Sequence, residues 1–292
     1  MALNLEDTKE ASGSRSAGRR QHSPAAPHAH DRALPGPTTP ADADALEDTR
    51  ATVGISVVIP ARNEADNIGW VLRRIPSYVD EVVIVDGRST DATIEVARMV
   101  RPDVVVAIDN GIGKGDAMRV GAAVARGSII VMMDADGSMD PAEIERFVEP
   151  LAQDFDFVKG SRFLAGGGTS DMTHLRKAGH WGLLGLANFM YGSRWTDLCY
   201  GFCAFRRSAL EELALDADGF EIETQMAVRS ARIRLRITEV PSFEYPRRFG
   251  NSQLNTFRDG WRVLCTIFQE RIKRHAASPL EEPGMADELT DA

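Results

Sequence analysis

The sequence predicts an α/β fold: a mostly parallel sheet flanked by helices, with a C-terminal part in which the alternation loosens. Three observations predict it. From residue 53 onward, short apolar runs rich in β-branched residues are each followed by a segment whose apolar residues recur at helical spacing. The runs are continuously apolar, as strands buried on both faces are. Each run ends in a polar cluster (Arg62-Asn63-Glu64, Asp86-Gly87-Arg88-Ser89, Asp109-Asn110 or Asp134-Ala135-Asp136), and ligands of such sheets sit beyond the carboxyl ends of the strands.

The first unit is VGISVVIP (53–60), a strand closed by Pro60, and ADNIGWVLRRI (65–75), where Ile68, Val71, Leu72 and Ile75 share a helix face. The pattern repeats as EVVIVD (81–86) with DATIEVARMV (91–100), DVVVAID (103–109) with KGDAMRVGAAVARG (114–127), and SIIVMMD (128–134) with PAEIERFVEPL (141–151). Strands joined through helices pair in parallel by right-handed crossovers. After residue 152, FDFVKGSRF (155–163) reads as a strand leaving the sheet and 164–171 as a mobile Gly-rich loop. A helix over 174–192, a strand over 201–207, a helix over 220–232, a strand over 235–240 and an amphipathic helix near 255–274 complete the chain.

With 292 residues, 43% hydrophobic and 26% charged, the chain can bury a substantial core. The net charge of −9 is concentrated at the ends, so the middle is nearly neutral and carries no basic nucleic-acid footprint. Residues 1–50 lack apolar periodicity and a signal-type apolar core, and read as a disordered tail, as does the acidic stretch 276–292; the domain is expected over 51–275. No stretch reaches the roughly 18 to 20 apolar residues of a membrane span. Cys199, Cys203 and Cys265 lack zinc-ligand spacing and are too few for a disulfide framework, which suits a reducing cytoplasm.

Asp134 and Asp136 lie on one side of an extended chain, about 7 Å apart at the strand rise. They suit one hard divalent cation, Mg²⁺ or Mn²⁺, whose shell substrate phosphates complete, or a division between cation and ribose. Asp86 sits too early to cap the following helix and is expected to face ligand; Asp91 or Ser89 is the expected cap. GIGKGDAM (111–118) reads either as a phosphate-binding loop ending at Lys114 or as a plain glycine turn. Arg162, Arg176 and the pair Arg247-Arg248 are candidates for neutralising phosphates. Trp181, Leu183, Leu184, Leu186, Phe189 and Met190, beside Arg176 and Lys177, make either an interfacial helix or a core one.

Seven stretches, VVIPARNEADNI, VIVDGRSTDAT, GKGDAMRVGAAVARG, VMMDADGSMDPAEI, VKGSRF, TDLCYGFCAFRR and EVPSFEYPRRFGNSQLN, follow in order the motifs of inverting family 2 glycosyltransferases. The chain resembles the polyprenyl-phosphate (dolichyl-phosphate) mannosyl- and glucosyltransferases of that family over roughly residues 53–258. The resemblance implies a GT-A fold, Rossmann-like, with an acceptor-side C-terminal part. It implies a nucleotide diphosphate sugar donor, GDP-mannose or UDP-glucose, and a lipid-phosphate acceptor, with the protein cytoplasmic or peripheral at the cytoplasmic membrane face. By position, Pro60, Arg62 and Glu64 would line the nucleotide, with Lys114 and Ala135 beside the donor; Asp86 would bind base or ribose. Asp134 and Asp136 would hold ribose and the Mg²⁺ or Mn²⁺, and Arg162, Arg176 and Arg248 would contact phosphates. Asp136, Arg162 and Asp197 are the expected catalytic residues, Asp197 as base or acceptor-positioning group. Ser138 stands where mannosyltransferases often have Gln, Gln253 where Lys is usual, and Cys203 where Arg is usual. A hydroxyl acceptor, or nucleotide-sugar binding without catalysis, are the alternative readings.

Overall fold

The computed structural model describes residues 54–170, 172–250 and 255–273; the tails expected at 1–50 and 276–292, and Gln253, lie outside the described residues. Four strand–helix units open the chain: β1 (Ile55–Ala61) with α1 (Ala65–Arg74), β2 (Glu81–Asp86) with α2 (Thr93–Val100), β3 (Val105–Ile108) with α3 (Lys114–Val124), and β4 (Ile129–Met132) with α4 (Ile144–Ala152). There follow β5 (Phe157–Ser161), β6 (Gly168–Thr169), α5 (His174–Tyr191), β7 (Cys203–Arg206), α6 (Arg207–Glu212) and α7 (Ile222–Ile233). The described chain closes with β8 (Ile237–Pro241), β9 (Phe243–Glu244) and α8 (Thr256–Ile272).

Seven strands form one sheet in the order β3-β2-β1-β4-β7-β5-β8. Every pairing is parallel except those of β7, which runs antiparallel between β4 and β5. The continuous apolar runs are explained by burial on both faces. In β1, Ile55, Val57 and Ile59 pack with Ile68, Val71 and Leu72 of α1 and Phe147 of α4. Val58 points the other way, into a core with Met118 of α3, Leu184 of α5, Met226 of α7 and Ile267 of α8. Every strand of the seven-stranded sheet except the edge strand β3 thus contributes to two apolar layers, and hydrophobic burial on both sides holds the parallel ladder.

Two sequence expectations are corrected. The segment 155–163 does not leave the sheet: β5 lies inside it, paired with β7 and β8. The Gly-rich stretch after it holds β6, which pairs in parallel with β9. Local pattern could not show either, because the partners lie about 40 to 80 residues away.

Candidate active site

The strand order places the site. The chain winds outward from β1 to β2 and β3, then returns to lay β4 on the other side of β1, so the carboxyl ends of β1 and β4 flank a topological switch point. Arg62-Asn63-Glu64 follows β1, Asp86 ends β2 in register with Ala61, and Asp134-Ala135-Asp136 follows β4. Past β4 burial alternates: Met133 and Ala135 enter the core while Asp134 and Asp136 keep 28% and 21% of their side chains exposed. Both carboxylates are therefore partly exposed just past the carboxyl end of β4.

Each is balanced by a different cation. Lys114 Nζ, from the first residue of α3, lies 2.6 Å from Asp134 Oδ1 and 2.7 Å from Glu223 Oε1 of α7. Burial opposes the charge on Lys114, but the two carboxylates outweigh it and hold the ammonium protonated well above the usual lysine range. Gly201 makes room for this cluster, since a Cβ there would fall 2.7 Å from Glu223 Oε1 and 2.8 Å from Lys114 Nζ. Asp136 Oδ1 accepts from the Ser138 backbone N–H at 2.9 Å, and Oδ2 lies 3.4 Å from Arg247 Nη1. Arg247 also binds Glu64 Oε1, whose other oxygen accepts from Asn67 Nδ2 at 2.6 Å. Burial raises Glu64 above the ordinary carboxylate value, with Asn67 and Arg247 opposing.

The segment carrying Arg247 is stitched to the β4 loop by backbone bonds, Tyr245 N–H to Ser138 O at 2.8 Å and Arg248 N–H to Asp136 O at 3.2 Å. Gly137 turns that loop at φ +74°, where a Cβ would collide with Arg248. The Arg248 guanidinium stacks on Trp70 at 4.6 Å, and both border a cavity of about 450 Å³ with Tyr245 and Phe249.

Several predicted residues lie elsewhere or do something else. The 111–118 stretch is not an anion cradle: the Gly115 and Asp116 N–H groups at the start of α3 donate to the Asp218 carbonyl at 2.8 and 3.2 Å. Only the Lys114 side chain reaches the cluster. Arg162 is buried and committed, with Nε 2.6 Å from Asp197 Oδ2, Nη2 2.9 Å from Asp197 Oδ1, and Nη1 3.1 Å from both Glu244 oxygens. Asp197 has no exposed surface; burial acts to raise it, but the Arg162 charge prevails and keeps it below the usual range. Neither is placed to touch a phosphate or draw a proton from an acceptor, so the catalytic and phosphate roles expected of this pair are withdrawn. Together they brace β5 and the 195–199 loop. The cap of α2 is Ala92, not the expected Asp91 or Ser89; Asp91 sits one residue earlier, where its Oδ1 accepts from Thr93 N–H at 3.0 Å and its Oδ2 from Ala65 N–H at 3.1 Å, joining the starts of α1 and α2. Asp86 accepts from the Ser89 N–H at 3.1 Å, Pro60 and Arg176 are half-buried, Arg62 is exposed and Ala135 is buried.

Sequence reading missed Glu223 and Lys159. Lys159 is buried opposite Cys203 across the β5–β7 pair, and its Nζ donates to the Tyr200 carbonyl at 2.6 Å. A lysine inside the apolar run 155–163 was the available signal. Nothing local marks Glu223, which meets Lys114 across 109 residues.

The sequence profile of the family described as Glycosyl transferase family 2 matches residues 56–214. Glycosyltransferase AglJ of Haloferax volcanii is 33% identical over 221 residues, 74% of this chain and 71% of that protein. Undecaprenyl-phosphate mannosyltransferase of Micrococcus luteus is 30% identical over 213 residues, 69% of this chain and 87% of that one. Among solved structures, glucosyl-3-phosphoglycerate synthase from Mycobacterium tuberculosis, in complex with Mn²⁺, UDP and phosphoglyceric acid, superposes with TM-score 0.64 at 24% identity, covering 82% and 84% of the two chains. A GT-A sheet with acidic residues at its switch point, matched by the family profile over more than half the chain, makes this protein a glycosyltransferase of family 2.

Proposed function

We propose that this glycosyltransferase is metal-dependent and inverting, and that it moves a hexose from GDP-mannose or UDP-glucose to a polyprenyl phosphate at the cytoplasmic face of a membrane. The observation that carries the reading is the pair Asp134 and Asp136, partly exposed at the β1/β4 switch point and each set against a cationic side chain. The acceptor class is supported by the Micrococcus relative, by its name an undecaprenyl-phosphate mannosyltransferase, and the donor and metal by the mycobacterial structure that holds UDP and Mn²⁺.

The donor set fits Mg²⁺ or Mn²⁺. Such ions take one or two carboxylates and fill the remaining positions with substrate phosphate oxygens and water, and Asp134 and Asp136, partly exposed, would offer two carboxylates in exchange for their present contacts with Lys114 and Arg247. Bound there, the ion would supply Lewis-acid stabilisation of the departing diphosphate. The chain's own residues supply the rest. Lys114 and Arg247 stand beside the two carboxylates and can share charge with the donor phosphates, and Glu64, Arg62, Pro60 and Asp86 line the strand ends where the nucleotide would rest. The acceptor oxygen attacks the anomeric carbon from the face opposite the leaving diphosphate, which inverts it. A phosphate monoester, with its second ionisation near pH 6, attacks already charged at neutral pH and needs no general base. The burial of Asp197 accords with such an acceptor.

The test is transfer from labelled GDP-mannose or UDP-glucose, with Mn²⁺ and a polyprenyl phosphate, followed by extraction into organic solvent. Label in the organic phase is expected. Label appearing only with sugar or other hydroxyl acceptors, in the aqueous phase, would replace the lipid reading, and no transfer from either donor would end the donor assignment.

A further inference from the structure

Helices α5 and α8 share an unusual distribution of charge. α5 carries no acidic residue, and the two acids of α8, Asp259 and Glu270, are buried at 4% and 1% exposure. What faces outward is aromatic, aliphatic and cationic. Trp181 and Phe189 of α5 are 51% and 87% exposed, and Phe257, Trp261, Phe268 and Ile272 of α8 are 79%, 66%, 46% and 80% exposed. In α8 these four fall at helical spacing on one stripe, with exposed Arg258, Arg262 and Arg271 alongside. Scattered exposed hydrophobics are ordinary, but two Trp and three Phe on adjacent helices mark an interaction surface. The helices pack side by side, the Tyr191 hydroxyl donating to the Ile267 carbonyl at 2.7 Å. Leu184 and Ala187 of α5 are buried in the core, while Trp181 and Phe189 are exposed.

Trp181 of α5 packs on Phe163 at 4.8 Å, and α8 begins at Thr256, seven residues along the chain from Phe249. The acids of the neighbouring loop are already engaged, Asp216 with Arg229 and Lys273, and Asp218 with Arg119. An apolar stripe edged by arginines, with its acids turned inward, complements the headgroup layer of an anionic bilayer.

We propose that α5 and α8 form a docking face for an anionic lipid bilayer, with their aromatic side chains in the headgroup region. The proposal deepens the reading of a lipid-borne acceptor, yet is separable from it, because vesicle binding needs neither donor nor acceptor. The full chain is sedimented with phosphatidylcholine vesicles, with and without phosphatidylglycerol, and compared with the double variant Phe257→Ser/Trp261→Ser. Expected are binding that is strongest on the mixed vesicles and weakens with added salt, and a loss of at least about tenfold in partitioning for the variant at unchanged melting temperature. Equal partitioning of variant and wild type, or no binding by the wild type, would overturn the proposal. So would a dimer abolished by the variant without vesicle binding, which would make the face a contact between copies. Transfer to a detergent-dispersed polyprenyl phosphate should survive in the variant; absence of transfer in both proteins, with vesicle binding intact, would count against the acceptor reading alone.

Discussion

Asp134 and Asp136 are two residues apart yet held by different parts of the chain, Asp134 by α3 and α7 through Lys114 and Glu223, and Asp136 by the segment after β9 through Arg247. The substitution Asp136→Ala should abolish the thermal stabilisation given by donor plus Mn²⁺ and lower kcat/KM by about 100-fold or more, as loss of one metal carboxylate does. Unchanged donor and metal response in a thermal-shift titration would remove Asp136 from the site. Glu239 offers a second residue-scale test. Burial pushes its carboxyl up to about 7, against the Thr196 and Asp197 N–H groups and Lys159. The folded chain then keeps a proton that the unfolded chain releases above the ordinary 4.5, so this group's contribution to stability falls as pH rises from about 4.5 to 7. Relative to Glu239→Gln, the wild type should lose up to about 3 kcal/mol between pH 4.5 and 8, read from denaturant titrations at both values. A stability difference independent of pH would exclude the raised carboxyl.

At the scale of elements, β5 and the 195–199 loop are joined by the buried Arg162–Asp197 pair, with Glu244 after β8 completing the set. Removing one member of a buried pair strands the other, so Asp197→Asn and Arg162→Ala should each cost about 3 to 5 kcal/mol, measured by chemical denaturation. Were Asp197 a base instead, Asn would leave the midpoint unchanged and reduce kcat alone. The segment from Tyr245 to Phe249 is the other decisive element, since it carries Arg247 to two strand ends at once. Replacing Arg247 with Gln should raise the donor KM by about tenfold and, because it leaves the buried Glu64 without its cation, cost about 1 to 3 kcal/mol in chemical denaturation.

For the whole molecule, the proposed chemistry lies at the switch point between β1 and β4, and the proposed bilayer contact lies on the acid-free outer face of α5 and α8. These are separate surfaces, and ionic strength should separate them kinetically. Raising salt should slow transfer to acceptor held in anionic vesicles several-fold, through screening of the docking arginines, and leave transfer to detergent-dispersed acceptor nearly unchanged. Parallel rate measurements on the two acceptor forms check this.

The sequence by itself determined the four leading strand–helix units, the buried character of their strands and the polar clusters at their ends, because hydrophobic period and turn chemistry are local properties of a few consecutive residues. The family motifs were legible for the same reason. Only the tertiary structure decided that β5 stays in the sheet beside an antiparallel β7, that the start of α3 is capped by Asp218, and that Arg162 is spent on Asp197 and Glu244. It also decided that Glu223 meets Lys114 and that the acids of α8 turn inward. Each depends on which distant segment reaches a charged group first, and a charge's role follows from the partner and the dielectric around it, neither of which is carried by neighbouring residues in the chain.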